Sequence, residues 1–287
     1  MQDEQDGGEF TAAPQAEEQA STNHEERKYE EDLLRERARQ VHEAEMFSSS
    51  ESVLRMLFEE YPDAEAGKDL SRLERQVNKY TSSSLSYGEL PYSSFHRIFT
   101  RLNRLGLSDD NRGKFVDIGS GVGKSVFAAA LYHNFSKVVG IEILSGLHQA
   151  SLGVFERWKT IKRQLSQFKS DMEISLLMGD ALTIDWAQGT DVVFMYATCF
   201  SREMLVALGR EACRLRSGSL VIITTYRLDS SIDPLFDKYL ELVLTESADA
   251  SFGGSVAVFF YRRTKLLALD AIADNDAYVS DLLSREV

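Results

Sequence analysis

The chain has 287 residues, 43% of them apolar and 27% charged, which is the composition of an ordinary globular protein. No run approaches 18 uninterrupted apolar residues and the N-terminus is polar and acidic, so we expect neither a membrane-spanning helix nor a secretory signal. The two cysteines, Cys199 and Cys213, show neither metal-ligand spacing nor a disulfide pattern. This usage favours an intracellular protein without a metal site.

The negative charge is concentrated at the start of the chain. Residues 1–63 carry 18 acidic and 6 basic side chains, which accounts for −12 of the net charge of −13. Such a segment cannot bind a nucleic-acid backbone, because that binding rests on lysine and arginine displacing counterions. We therefore expect no strong nucleic-acid binding. Residues 1–26 are interpreted as a disordered acidic head that either attracts a basic protein or only keeps the chain soluble.

Residues 27–90 are predicted to form a helical N-terminal region that ends in a loop. Apolar side chains recur at roughly helical spacing between Lys28 and Glu60, with a break predicted near the three serines at 48–50. A further short helix is predicted at 69–80. Together these helices are expected to pack against the main domain.

From residue 91 onward, predicted helices alternate with predicted strands. Helices are predicted at 91–107, 125–134, 145–168 and 201–215, and strands at 114–118, 137–143, 172–180, 190–197 and 219–225. This alternation predicts a parallel sheet with helices on both faces. Two further strands, 240–247 and 255–263, have no helix between them and are predicted to close a seven-stranded sheet as an antiparallel hairpin. The main domain then spans 91–263, followed by a tail at 264–287.

The stretch FVDIGSGVGKS at 115–125 ends a strand and opens a helix. A P-loop would need glycine at position 118, where isoleucine stands, and a dinucleotide-binding turn would need glycine at 124, where lysine stands. The remaining pattern, D-x-G-x-G-x-G, resembles the first motif of class I methyltransferases that use S-adenosylmethionine (SAM). This resemblance implies that the motif approaches the methionine half of the cofactor through Asp117, Gly119, Ser120, Gly121 and Gly123.

Three further candidate cofactor-binding residues follow the next strands. Glu142 ends the second strand, where a carboxylate can accept hydrogen bonds from ribose hydroxyls. Asp180 follows the third strand, where it either binds the adenine amino group or forms a common Gly-Asp turn. Tyr196 opens YATCF after the fourth strand, at the edge where open α/β sheets bind ligands. YATCF lacks the Asn-Pro-Pro pattern of base and amide methyltransferases, and the paired glutamates of arginine methyltransferases are also missing.

More specifically, the chain resembles the non-SET histone lysine methyltransferases known as disruptor of telomeric silencing. The resemblance rests on YGEL at 87–90 followed in register by FVDIGSGVGKSVFAAAL, on the basic stretch FERWKTIKRQ, on MGDAL, and on the closing hairpin with Ser251, Phe252, Phe259 and Phe260. It implies a class I SAM-dependent methyltransferase fold in which a loop containing Tyr87 and Glu89 covers the cofactor. It also implies a lysine of histone H3, or of the nucleosome, as substrate and hence a nuclear location.

An aromatic channel for the acceptor lysine is predicted from Tyr87, Phe200, Phe252 and Phe259, which are the candidate catalytic residues. Free lysine has a pKa of about 10.4 and must be neutral to attack, and an apolar channel disfavours its charged form. Phe259 alternates with Phe260 on one strand, so only one of the two can face the site, and we predict that it is Phe259.

Several departures from the family pattern concern the acceptor. Tyr196-Ala197-Thr198 stands where the family usually has Asn-Asn-Phe, Phe252 stands where tryptophan is usual, and Lys124 stands where glutamine is usual. No strongly basic tail follows the domain. Two alternatives to histone methylation therefore stay open: a SAM-dependent methyltransferase of a non-histone protein or small molecule, and a catalytically silent domain that binds SAM or a protein partner.

Overall fold

The computed structural model describes residues 28–29, 48–107, 112–165, 169, 171–251 and 253–264. The chain divides into two compact units, Met1–Ser49 and Ser50–Val287, and the architecture below is that of the second unit. The predicted acidic head at 1–26, the tail from 265 onward and Phe252 lie outside the described residues.

In the described part of the second unit, three α-helices precede the sheet. Residues 50–57 are helical (α1), α2 spans Ala64–Asn78 and α3 spans Tyr92–Arg104. α2 begins where the Asp63 carboxylate accepts the N–H of Glu65, so it starts five residues before the predicted helix at 69–80. The serines at 48–50 are helical, so the prediction of a break there was wrong.

Seven strands form one sheet, as the sequence predicts. They are β1 (Lys114–Ile118), β2 (Lys137–Glu142), β3 (Glu173–Met178), β4 (Val192–Met195), β5 (Leu220–Thr224), β6 (Leu240–Asp249) and β7 (Ser255–Arg263). The strand order is β3-β2-β1-β4-β5-β7-β6. Neighbours among β1 to β5 run parallel, whereas β7 is antiparallel to both β5 and β6. The fold is that of a class I SAM-dependent methyltransferase, with a parallel sheet closed by an antiparallel hairpin.

Among the described residues, four more α-helices of six residues or longer connect the strands. They are α4 (Lys124–Tyr132), α5 (Ser145–Ile161), α6 (Arg202–Ala212) and α7 (Pro234–Tyr239). α5 ends at residue 161, before the predicted end at 168, and α7 was not predicted because six residues are too few to show a helical period. Within the described ranges, no helix combines the length and apolar character needed to span a membrane.

Each face of the sheet carries its own hydrophobic cluster. Successive strand residues alternate between them: Phe194 and Ile222 belong to the first cluster, with side chains of α3, α4 and α5, whereas Val193 and Val221 belong to the second, with side chains of α6 and α7. The strand order reverses between β1 and β4, which leaves a crevice at the carboxyl ends of these two strands.

Candidate functional site

A cavity lies in this crevice, under the loop at 87–90. It is small and partly open to solvent. The loop, the carboxyl ends of β1 and β4, α3 and the start of α4 supply its lining, which consists of Tyr87, Gly88, Glu89, Leu90, Phe95, Asp117, Gly119, Ser120, Lys124, Ser125, Phe194 and Tyr196. Six of the predicted site residues are therefore brought to one cavity: Tyr87, Glu89, Asp117, Gly119, Ser120 and Tyr196.

Tyr87 lies directly on the glycine loop. A Cβ atom added to Gly121 would approach its ring to 2.5 Å, and one added to Gly67 on α2 would approach it to 2.4 Å. Gly121 has φ +56°, in the left-handed region, and its N–H donates to Glu142 Oε2 at 2.7 Å. Only glycine at positions 67 and 121 leaves the ring its space between the helix and the loop.

Two buried carboxylates flank the glycine loop. Asp117 is 2% exposed and Glu142 is 5% exposed. Burial raises the pKa of Asp117 to about 7, against a lowering effect of its hydrogen bond from the Ser125 hydroxyl. Burial also raises the pKa of Glu142, while hydrogen bonds from the N–H groups of Leu144 and Gly121 lower it. The backbone N–H of Ile143 also lowers the pKa of Glu142, so of about four lone-pair sites on the carboxylate at least one remains for a ligand.

A buried ion pair lies beside the cavity. Lys124 Nζ donates to Glu89 Oε1 at 2.6 Å, and the Tyr87 hydroxyl donates to Glu89 Oε2 at 2.5 Å. The side chains of Lys124 and Glu89 are only 5% and 9% exposed. Burial, followed by the Glu89 charge, raises the pKa of Tyr87 well above its usual value. The sequence analysis noted Lys124 only as a departure from a family, because nothing in the pattern joins residues 35 positions apart.

The other predicted aromatic residues, Phe200 and Phe259, lie on the same face of the sheet, and Phe260 lies on the opposite face. Phe200 is buried and its ring faces the glycine loop, since a Cβ added to Gly119 would lie 4.0 Å from its Cζ. Phe259 on β7 pairs with Ile223 on β5. It packs against the second cluster, to which Phe200 belongs, and it does not line the cavity. Phe260 is fully buried in the first cluster. The placement of Phe259 in a lysine channel stays a prediction.

Asp180 and Gly123 have local structural partners. Asp180 Oδ1 accepts the N–H of Leu182 at 2.9 Å, which closes the turn after β3. Gly123 caps the N-terminus of α4 with φ +95°, and its N–H donates to Ser120 at 2.8 Å. The described ranges contain no group of three or more His, Cys, Asp or Glu side chains placed to hold a metal ion.

Glu74 on α2 is a contact that the sequence analysis missed. Its carboxylate accepts the N–H and the hydroxyl of Ser145, both at 2.9 Å, and the N–H of Gly146 at 2.7 Å. Burial alone would raise the pKa of Glu74, but these hydrogen bonds bring it below the usual value. A carboxylate at a helix N-terminus is stabilising. α2 is thereby tied to the first turn of α5, three residues after Glu142.

Comparisons with known proteins give one family. The family described as histone methylation protein DOT1 matches residues 70–233, more than half of the 287 residues. The match ends before the β6–β7 hairpin, so the aromatic residues that we compared there lie beyond it. No curated protein matches the chain.

The chain is also similar to solved structures at low sequence identity. One is a Pyrococcus horikoshii protein described as an RNA methyltransferase, with 13% identity, a TM-score of 0.46 and coverage of 69% of this chain and 98% of that one. Another, from Listeria monocytogenes, is described as a class I SAM-dependent methyltransferase, with 11% identity, a TM-score of 0.47 and coverage of 72% and 70%. The N-methyltransferase NodS from Bradyrhizobium japonicum has 13% identity and a TM-score of 0.45, and the match covers 62% of this chain and 90% of that one. These relatives are too distant to bear on what the chain does.

Proposed function

The chain belongs to the DOT1 family of histone methylation proteins and is a SAM-dependent methyltransferase, and we propose that its acceptor is a lysine side chain of histone H3 in the nucleosome. A nuclear location is part of this proposal. The observation that carries it is the cavity in which a tyrosine loop, a glycine loop and buried charges of both signs meet.

The charges of the cavity fit the amino-acid end of SAM. We infer that Asp117 binds its ammonium group and that Lys124, which has two N–H donors besides the one on Glu89, binds its carboxylate. Glu142 is assigned to the ribose hydroxyls through its remaining lone pairs. Because Gly121 has no side chain, its backbone is accessible beside the Tyr87 ring. When bound, SAM supplies a methyl group on a positively charged sulfur.

The residues around the cavity support transfer to an amine. A lysine is charged in water because its pKa is about 10.4, and apolar surroundings shift it toward the neutral form that can attack. Tyr87, Phe200 and Tyr196 supply aromatic surface near the glycine loop. Holding the nitrogen in line with the methyl carbon lowers the barrier by several kcal/mol in comparable reactions, roughly 7–11 at best.

We expect SAM affinity to fall below neutral pH. Asp117 has a pKa of about 7 in the free protein and must be ionised to bind an ammonium group. The dissociation constant should therefore rise roughly five- to tenfold between pH 7.5 and pH 6, a range below the α-amino pKa of about 7.7–8.0. Calorimetry at each pH measures this, and Asp117→Asn is the control because it should bind weakly with little pH dependence. Wild-type affinity that does not change with pH would contradict the assignment.

The stability of the free protein should change with pH in the opposite direction. The folded pKa of Asp117, about 7, lies above the unfolded value of about 3.9, so the folded state holds this proton more tightly. The contribution of Asp117 to stability is full below about pH 4 and is lost as pH rises through 7. Saturating SAM should reverse this trend, which a comparison of melting temperatures with and without SAM will measure.

The acceptor is tested by methyl transfer from labelled SAM to recombinant nucleosomes, free histones and a histone-depleted lysate. We expect label on histone H3 in nucleosomes, and mass spectrometry should locate it on lysine. Asp117→Asn is the matched control. Label on lysate proteins alone would replace the histone by another acceptor, an outcome that the Tyr196-Ala197-Thr198 segment makes worth testing. SAM binding without transfer to any of the three would indicate a silent domain.

A further inference from the structure

Thr225 has an unusual backbone conformation. Among the described residues only Lys79 and Thr225 combine a side chain with positive φ, at 57° and 71°. Lys79 follows the last residue of α2, where the left-handed conformation is common. Thr225 is β-branched, and for such a residue positive φ is a true outlier. The strain therefore has to be maintained by the surrounding structure.

Hydrogen bonds on both sides of Thr225 maintain it. The N–H of Thr225 donates to the carbonyl oxygen of Ala257 in β7 at 2.8 Å. The N–H of Tyr226 donates to the carbonyl oxygen of Thr224, also at 2.8 Å. Thr225 is thus the central residue of a three-residue turn at the carboxyl end of β5. The Thr224 hydroxyl in turn accepts the N–H of Ala197, at 2.9 Å, so the exits of β4 and β5 are joined.

This turn brings the Thr225 hydroxyl within hydrogen-bond distance of the Thr198 hydroxyl. Thr225 Oγ1 lies 3.1 Å from Thr198 Oγ1, and either can be the donor. Both residues are partly exposed at the carboxyl edge of the sheet. A hydroxyl has one donor and two acceptor sites, so the pair keeps one donor and three acceptor sites after its mutual bond. Neither threonine lines the cavity, but Tyr196, two residues before Thr198, does.

The neighbouring Tyr196 connects the threonine pair to the cavity. Tyr196 lines the cavity and its Oη is buried. Burial raises the pKa of Tyr196, whereas the Thr198 hydroxyl, as a hydrogen-bond partner, lowers it. The hydroxyls of Tyr196, Thr198 and Thr225 therefore lie next to one another where β4 and β5 end.

We propose that the Thr198–Thr225 hydroxyl pair binds the acceptor amine, accepting its N–H so that the nitrogen lone pair faces the methyl group. This inference rests on the proposed function. The hydroxyl oxygens accept hydrogen bonds without a negative charge, so they stabilise the ammonium form less than a carboxylate would. The amine loses its proton to solvent before attack. Its lone pair then forms the N–C bond while the S–C electron pair stays on sulfur, and the positive charge moves from sulfur to nitrogen.

The pair also sets a preference among methylation states. A primary amine and a monomethylated amine have an N–H to donate, whereas a neutral dimethylated amine has none. The first transfer to a lysine should therefore depend on the hydroxyls and the third should not. A purely structural role of the hydroxyls would not distinguish these steps.

The test uses Thr198→Val in the full chain, with recombinant, unmodified nucleosomes and saturating SAM. We expect the first methyl transfer to slow at least tenfold, SAM affinity to stay within twofold, and Thr198→Ser to restore the rate. Mass spectrometry of the mono-, di- and trimethyl products should show that later steps are slowed less. Thr160→Val, on the exposed side of α5, is the matched control.

Thr225→Gly provides a second and independent variant. It removes the hydroxyl and fits the positive φ, so we expect a melting temperature equal to or above that of the wild type together with the same loss of transfer. Wild-type rates in both variants would refute the hydroxyl pair while leaving the proposed function intact. If the wild-type protein labels no nucleosome, histone or lysate protein, the proposed function fails and this inference fails with it.

Discussion

Gly121→Val is expected to abolish SAM binding. Its Cβ would lie 2.5 Å from Tyr87 Cε2 and 3.2 Å from Cδ2, and φ is +56°, where a β-branched residue is strongly disfavoured. Relief of this clash must move either the Tyr87 ring or the loop. Loop movement would also break the Gly121–Glu142 hydrogen bond. The dissociation constant, measured by calorimetry, should rise more than a hundredfold, the ratio to which about 2.7 kcal/mol corresponds.

Gly218→Val is the matched control for this substitution. Gly218 also has positive φ, at 92°, but no heavy atom of the described chain lies within 4 Å of an added Cβ. Its valine should lower the melting temperature through backbone strain and leave SAM affinity unchanged. If both variants bind SAM like the wild type, the glycine loop does not contact the cofactor. Circular dichroism will show that each variant is folded before binding is compared.

Lys124→Met is expected to produce the largest loss of stability at the site. The change keeps the length of the side chain but leaves the buried Glu89 carboxylate with only the Tyr87 hydroxyl as its side-chain partner. Removing one member of a buried ion pair typically costs about 3–5 kcal/mol of unfolding free energy. Lys137→Met removes one member of the exposed pair with Glu173, and that should cost about 0.2–1 kcal/mol. Urea unfolding of both variants measures the difference.

The double variant Lys124→Met with Glu89→Gln separates stability from binding. With no charge left to bury, it should recover most of the unfolding free energy. SAM affinity should stay low, because the carboxylate of the cofactor still lacks its cation. Recovery of both properties together would show that Lys124 serves the fold alone. Failure to recover stability would show that the ion pair itself is not what Lys124 contributes.

The strands were predictable because buried strands have a recognisable pattern of apolar residues. β4 (VVFM) and β5 (LVIIT) read as short, almost entirely apolar runs, as expected for strands covered on both faces, and the missing helix between β6 and β7 marked the hairpin. The strand order was not contained in these patterns, and the sequence analysis did not predict it. Asp233 and Pro234 form a helix start, but α7 was not predicted because the helix has only six residues, Pro234–Tyr239.

The site was predictable only where local sequence positions its residues. Asp117, Glu142 and the glycines follow strand ends, and their positions along the chain are sufficient to identify them. Lys124, Glu74 and Thr225 act through partners 35, 71 and 27 positions away, and no local pattern encodes such distances. Thr225 is also a residue that propensity would exclude from positive φ. Its conformation follows from bonds made by neighbouring strands, which exist only in the folded chain.

The contacts of α2 with the rest of the site determine where a shortened, working form of the protein must begin. The family match starts at residue 70, inside α2, whereas the helix starts at Ala64 after the Asp63 cap. A fragment cut at 70 keeps Glu74 but reduces the helix to the nine residues 70–78, below the ~12–15 at which an isolated helix becomes stable in water. Gly67, which makes room for Tyr87, is lost as well. The smallest fragment with an intact cofactor site therefore begins at Asp63 or before it.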